Sequence, residues 1–397
     1  MRTLSLSRLL AIAILVVTIS TQAVFLLGAA FVQIGPEFDL GPVGLGALTA
    51  AFFLTASATS SPLGRWIQRV GWQTAMIINT RVSAVLLLLI AVAARTTWSL
   101  AALLIAAAAV YGAANPAANQ ALADHTNPKH RATIFGLKHA GIPGSTLLAG
   151  LAVPLIVVHV GWRWAYVAAA GLALVVSLLI PRGPIEEQTP DTAVGASPPV
   201  PLSTHQLIGL ATGSAFATWG AIALATFLVS AAVDLGFSAA EAGLLQFAGS
   251  GASIGARIIY GVVTDHSGGR GFGLMAAVTL VGAATFGLLV GRGGALFSAL
   301  ILLAFATGWG WPGLMTFTVV NANRSSVAAS SAITQAGVFV GAGLGPLLLG
   351  AAIERWSFSG AWITACVGLL IAALVVGSVG KRTNPASSGN SHAGEPK

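Results

Sequence analysis

Apolar residues along this chain gather into long blocks separated by short polar breaks. Such blocks fall at about 9–31, 43–63, 74–94, 98–120, 133–157 and 162–180, and a second set at about 206–231, 241–263, 271–291, 295–320, 327–350 and 358–379. An α-helix crosses the hydrocarbon core of a bilayer with roughly twenty such residues. The pattern predicts an all-α membrane protein of twelve transmembrane helices. Several connectors hold only a few residues, so neighbouring helices run antiparallel.

The stretch from Pro181 to Thr204 breaks this rhythm. It carries Glu186, Glu187, Pro198, Pro199 and Pro201 among Thr and Ser, and it lacks core-forming residues. It reads as a flexible linker, and the end of the chain from Lys381 has the same character. The expected organisation is a six-helix bundle over 1–180, a cytoplasmic linker over 181–204, a second six-helix bundle over 205–380 and a disordered cytoplasmic tail over 381–397. Arg2 and Arg8 ahead of the first apolar block resemble a secretory leader, but the block is too long for one and suits a membrane span.

Lysine and arginine set the expected orientation. With the N-terminus inside, the inner segments hold Arg2, Arg8, Arg65, Arg69, Lys129, Arg131, Arg182, Arg270, Arg324, Lys381, Arg382 and Lys397. The outer loops hold only Arg95, Arg163, Arg292 and Arg355. Both termini are therefore expected in the cytoplasm of a multi-pass protein of the cell (inner) membrane.

Composition agrees with lipid as the solvent. Hydrophobic residues make up 56% of the chain and charged ones 8%, far below the quarter usual in soluble domains. The 48 glycines suit close helix approach. A net charge of +8 raises the question of nucleic acid, but the basic residues stand singly or in pairs between apolar blocks, and no nucleic-acid partner is expected. Cys366 is alone and the seven histidines are scattered, so neither a disulfide nor a metal site is expected. No phosphate-binding G-x-x-x-x-G-K-(S/T) loop occurs, no nucleophile–base set sits at membrane depth, and no cofactor is implied. The chain does not read as an enzyme.

The two sets of spans repeat one another. Asp39-Leu40-Gly41, then Gly46, Gly64 and Gly71, are answered by Asp234-Leu235-Gly236, then Gly243, Gly261 and Gly268. The last three pairs share one offset of 197. Arg131 and Gly141 correspond loosely to Arg324 and Gly337. Parallel six-helix repeats about the membrane normal are a transporter architecture, with the solute site between the halves.

With these features the chain resembles the major facilitator superfamily over nearly its whole length. The loops after the second and eighth spans are similar to that family's signature G-x-x-x-D-(R/K)-x-G-x-(R/K). The second copy keeps Gly261, Asp265, Gly268 and Arg270, with His266 at the basic position. The first keeps Gly64, Arg69 and Gly71 but has Gln68 in place of the acid, which predicts a weaker charge latch there. The resemblance implies two pseudo-symmetric six-helix bundles that rock about a central site. The stretch from Arg131 to Trp164 is also similar to bacterial members handling small metabolites. Gly341-x-x-x-Gly345-Pro346-x-x-x-Gly350 echoes a drug-export signature, but on the eleventh span rather than the fifth, where Gly141-Ile142-Pro143-Gly144 stands instead.

Three cations fall inside spans: Arg81, Lys138 and Arg257. A charge in the hydrocarbon is costly and points to function. No Asp or Glu sits at mid-span, so an anionic solute is the natural counter-ion. Arg257 lies one turn before Gly261, and Arg-x-x-x-Gly there resembles monocarboxylate and oxalate/formate-type members, in which this arginine meets a carboxylate. Lys138 either assists or snorkels to the membrane edge. Arg81 is expected to bond toward the first signature loop. His139 beside Lys138 reads as a satisfied buried histidine.

Further polar or aromatic residues at mid-span are candidates for the path: Gln22, Tyr111, Asn115, Trp219, Gln246 and Gln335. Trp309 and Trp311 beside Pro312 mark an expected bend. Gly251-x-x-x-Gly255 and Gly337-x-x-x-Gly341 read as close-packing faces.

The leading expectation is a monomeric secondary active transporter moving a small organic anion or metabolite by alternating access, driven by a proton or a counter-substrate. Its partners are the lipid bilayer and that solute. Proton-coupled drug or multidrug efflux is the alternative within the class, and a non-transporting membrane sensor on the same scaffold the alternative outside it.

Overall fold

A computed structural model describes residues 5–125, 131–183, 201–266, 271–323 and 327–383. All regular structure among these residues is helical. Helix α1 comprises Leu6–Ser20, Gln22–Ala29 and Phe31–Glu37, followed by α2 (Pro42–Val70) and α3 (Trp72–Ala93). Helix α4 comprises Thr97–Tyr111 and Ala114–His125. Helix α5 comprises Arg131–Lys138 and Gly141–Ala152, then a π-helical turn, Val153–Val157, around Pro154. Helix α6 is Trp162–Leu179, α7 Thr204–Asp234, α8 Ala239–His266 and α9 Gly271–Leu289. Helix α10 comprises Gly294–Gly308 and Pro312–Ala322. Val327–Thr383 is helical apart from Trp356 and Ser357, whose non-helical backbone separates α11 from α12.

Nine of these stretches are long and apolar enough to cross a membrane unaided, and the pair Leu6–Ser20 and Gln22–Ala29, bent by 55°, makes a tenth. One of the nine, Ser330–Gly380, spans both α11 and α12. The remaining helix, α8, is the polar exception: Gln246, Ser250, Ser253 and Arg257 interrupt its apolar sequence. The result is the expected twelve helices in two six-helix bundles.

Outward-facing leucine and valine mark the lipid surface. Val85 and Leu88 on α3, Leu174 and Leu178 on α6, Leu280 and Leu288 on α9, and Val367 and Leu374 on α12 are all exposed. Trp98, Trp164 and Trp356, also exposed, stand at the end of the bundle opposite the termini, where amphipathic rings suit a membrane interface. Arg81 is corrected by the structure: its Nε donates to Ser177 Oγ on α6 (3.3 Å) rather than toward the first signature loop.

The halves meet through glycine. A Cβ on Gly46 of α2 would stand 2.2 Å from the Pro346 carbonyl oxygen on α11, and one on Gly350 of α11 2.5 Å from that of Pro42. Gly243, the repeat mate of Gly46, presses α8 on α5 in the same way, where a Cβ would stand 2.7 Å from the Gly150 oxygen, and a Cβ on Gly28 of α1 would stand 2.9 Å from Thr226 O of α7. Glu354 Oε1 accepts from the Val43 N–H (3.1 Å) at the start of α2, where a carboxylate meets the positive end of the helix dipole. These seams all lie in the half of the bundle farther from the termini, so that end is closed. At the termini end the halves touch where Gly136 of α5 crosses Gly313 of α10; a Cβ on Gly136 would stand 3.6 Å from the Gly313 oxygen.

Gly337 and Gly341 do pack closely, against Ala211 O and Ala215 O of α7. Gly251 and Gly255 correct the expectation, because a Cβ at either would meet nothing within 4 Å. In the first signature loop Gly71 has φ +79, a conformation glycine adopts at no steric cost, and Gln68 and Arg69 are exposed. Gly268 and Arg270 of the second copy, most of the linker and the end of the chain from residue 384 lie outside the described residues, as do the side chains of Asp265 and His266.

At the closed end Arg163 grips Glu37 through two nitrogens (2.9 and 2.6 Å), and Trp162 Nε1 donates to the same carboxylate (2.7 Å). Arg163's bonds, helped by Trp162, hold the Glu37 carboxyl below the ordinary carboxylate range. A lowered value adds stability above the ordinary range and loses it as pH falls through the lowered one. Glu37→Gln is therefore expected to flatten the loss of thermal stability below about pH 4, by no more than about 1 kcal/mol for so exposed a pair. Gly46→Ala is expected to pry α2 from α11. A Thr226→Cys reporter in the α1–α7 seam should then react faster with an impermeant maleimide, whereas Gly341→Ala, inside one half, should not accelerate it.

Candidate functional site

Four helices break at about the same depth, and each break follows from local sequence. Helix α4 parts at Gly112-Ala113, α1 at Thr21, α5 after Lys138 and α10 between Gly308 and Pro312. Pro143 stands four residues after His139, where an N–H would otherwise close the helical bond to the His139 carbonyl. Pro312 similarly lacks the N–H that would bond the Gly308 carbonyl, and Trp309 lies within the break that follows. These breaks free carbonyl groups at a depth where lipid offers no donor.

Buried side chains supply the donors. Arg257 of α8, 7% exposed, donates through Nη1 to His139 O and through Nη2 to Trp309 O (2.7 Å). It thus joins the broken helix of one half to the broken helix of the other. Ser253 also reaches Trp309 O, and Tyr260 Oη donates to Ala306 O (3.1 Å). In the first half Asn79 Nδ2 donates to Val110 O (2.7 Å), Thr18 Oγ1 to Gly141 O (2.9 Å) and Tyr166 Oη to Ala23 O (2.8 Å).

The breaks surround a cavity between the halves with about 860 Å³ of free space, open solvent included. Of the sequence candidates, Arg257, Lys138, Tyr111, Asn115 and Gln335 line it. Lys138 does not snorkel: it is 3% exposed, and its Nζ donates to Asn115 Oδ1 (3.0 Å) and Asn119 Oδ1 (2.7 Å). Asn115 Nδ2 in turn donates to Tyr111 Oη (3.2 Å). His139 lines the cavity with Nε2 3.0 Å from Thr316 Oγ1.

Gln22, Gln246 and Trp219 lie elsewhere. Gln22 donates to Ser145 O and Gln246 to Thr146 O, both across helix seams, and Trp219 stacks on Phe216. Residues that sequence reasoning passed over complete the wall: Phe25, Phe53, Asn119 beside it, Thr316 and Thr334. Phenylalanines in an apolar block carry no distinguishing pattern, but the spacing His139-x-x-x-Pro143 was a readable sign of a carbonyl needing a partner.

Three buried polar atoms on cavity-lining residues have no hydrogen-bond partner: Arg257 Nε, Trp311 Nε1 and the Thr218 hydroxyl. Among the described lining residues there are two basic side chains, Arg257 and Lys138, and no carboxylate. The site is therefore basic and lacks an acidic counter-charge among the described residues.

A family model described as Major Facilitator Superfamily matches residues 13–231 and 208–397. No curated protein matches the chain. Among solved structures, a bacterial homolog of the human lysosomal transporter Spinster, inward-facing and occupied, is similar with a TM-score of 0.70 at 17% identity, over 95% of this chain and 97% of that one. Its inward-facing, unoccupied form gives 0.67 at 16%, over 95% and 97%. A mutant of the nucleoside transporter NupG gives 0.70 at 11%, over 94% and 100%.

Replacing Arg257 with methionine leaves His139 O without its side-chain donor at the break in α5. The expected loss is about 1–3 kcal/mol per orphaned carbonyl, read as a lower unfolding midpoint in detergent; Trp309 O keeps Ser253, so a loss at the lower end is expected.

Proposed function

The chain belongs to the Major Facilitator Superfamily, and on that premise we propose that it carries a small organic anion across the cell membrane by alternating access. One observation carries the reading: Arg257 and Lys138 are both buried in the wall of the central cavity with no acidic partner among the described lining residues. Buried charge without a counter-charge is strongly unfavourable, and an anionic solute relieves it. A guanidinium offers a carboxylate a planar fork of donors. Cationic drugs meet the opposite field, which disfavours multidrug efflux.

The same arginine connects binding to movement. An incoming carboxylate competes with the His139 carbonyl for Nη1, and that bond is one of the ties between the halves. Its release loosens the crossing of α5 on α10, and opening at the termini end follows. With lysine and arginine concentrated on that side, we place the termini, the linker 181–204 and the tail 381–397 in the cytoplasm and the closed seams outside. A proton or a counter-anion drives the cycle. The family fits a carrier of small solutes and not an enzyme.

Uptake by proteoliposomes tests this reading. Labelled carboxylates are expected to enter and a cationic dye is not. Arg257→Ala should cut uptake by roughly a hundredfold or more, since truncating one partner of a buried charged pair costs about 2–5 kcal/mol, while Arg257→Lys should weaken it less. Normal uptake by well-folded Arg257→Ala protein would refute the assignment.

A further inference from the structure

The cavity has a second kind of wall, opposite in chemistry to its charged end. Phe25 of α1, Phe53 of α2, Tyr111 of α4 and Trp309 of α10 all line it, and each is at most 5% exposed. Phe25 lies 6.2 Å from Phe53 and 6.4 Å from Trp309 between ring centroids, and Phe53 lies 6.4 Å from Tyr111. These are the tilted and edge-on arrangements that aromatic rings favour. The rings come from both halves, so they form a box only where the halves meet.

Resting on the anion-carrier reading, we propose that this cavity takes an aromatic monocarboxylate, its carboxylate at Arg257 and Lys138 and its ring among Phe25, Phe53, Tyr111 and Trp309. The unpaired buried groups of the lining, Arg257 Nε, Trp311 Nε1 and the Thr218 hydroxyl, can all donate, and a carboxylate has only acceptors to give. Both basic residues line the same cavity beside the break in α5, where Arg257 holds the carbonyl of His139, the residue after Lys138. A second carboxylate on the solute would find no further lysine or arginine among the described lining residues and would lose its hydration without a counter-charge. That selects one charge rather than two. Lys138, Asn115 and Tyr111 form a hydrogen-bonded chain, so the ring box sits at a fixed distance from the charge.

Thermal shift of the purified full-length protein tests the class with benzoate, phenylacetate, cyclohexanecarboxylate, acetate, succinate, benzyl alcohol and benzylamine. Benzoate or phenylacetate is expected to bind roughly tenfold or more tighter than acetate, the discrimination an apolar pocket gives for a small added group. Cyclohexanecarboxylate should bind several-fold more weakly than the better aromatic acid, and succinate no better than acetate. Phe53→Leu and Phe25→Leu, which keep a bulky apolar side chain, should each lower the ratio of benzoate to acetate affinity. Acetate or succinate binding as tightly as the aromatic acids, or an unchanged ratio in both variants, overturns the proposal while leaving the anion reading in place. Binding of benzylamine or benzyl alcohol with no response to any carboxylate overturns both, as does a response to nothing in the panel.

Discussion

The polypeptide backbone cannot go unpaired in lipid, and this constraint shapes every distinctive feature of the protein. A continuous helix meets it without help. Here α1, α4, α5 and α10 are broken beside the central cavity, and each break creates carbonyls that other side chains must satisfy. Asn79, Tyr260 and Arg257 do so from neighbouring helices. The polar residues of the membrane interior are thus committed largely to backbone, and Arg257 and Trp311, which line the cavity, each keep an unpaired donor. A site for a solute and a device for stabilising broken helices are the same set of residues.

That coincidence explains why Arg257 joins structure to movement. Its bonds to His139 O and Trp309 O tie the bundles at the depth of the cavity. Farther from the termini, glycine seams let backbone meet backbone at α2–α11, α5–α8 and α1–α7. Seams of this kind contain few interlocking side chains, so they can part as units without unravelling a core. Gly46 and Gly243 occupy matching places in the repeat and make matching contacts, so one structural solution serves twice.

The cavity then divides its chemistry by position. Its charged end gathers Arg257, Lys138 and the unpaired indole N–H of Trp311, and its aromatic end gathers rings from both halves. Among the described residues, arginine and lysine here are held by carbonyls and amides and not by acids. The electrostatic demand and the apolar wall together describe the solute more narrowly than either alone.

The sequence by itself determined the helix count, the repeat and the presence of cations in the bilayer, because crossing lipid demands long apolar blocks and makes each charged exception conspicuous. It singled out Arg257 and Lys138 for that reason, and the bend at Trp309 and Trp311 through Pro312. Only the tertiary structure decided that Lys138 stays buried between Asn115 and Asn119, that Gln22 and Gln246 serve helix seams, and that Phe25 and Phe53 face the cavity. An apolar ring in an apolar block looks the same whether it meets lipid, a neighbouring helix or a solute. Which of these it meets depends on how helices distant in sequence rotate against one another, and no local pattern records that.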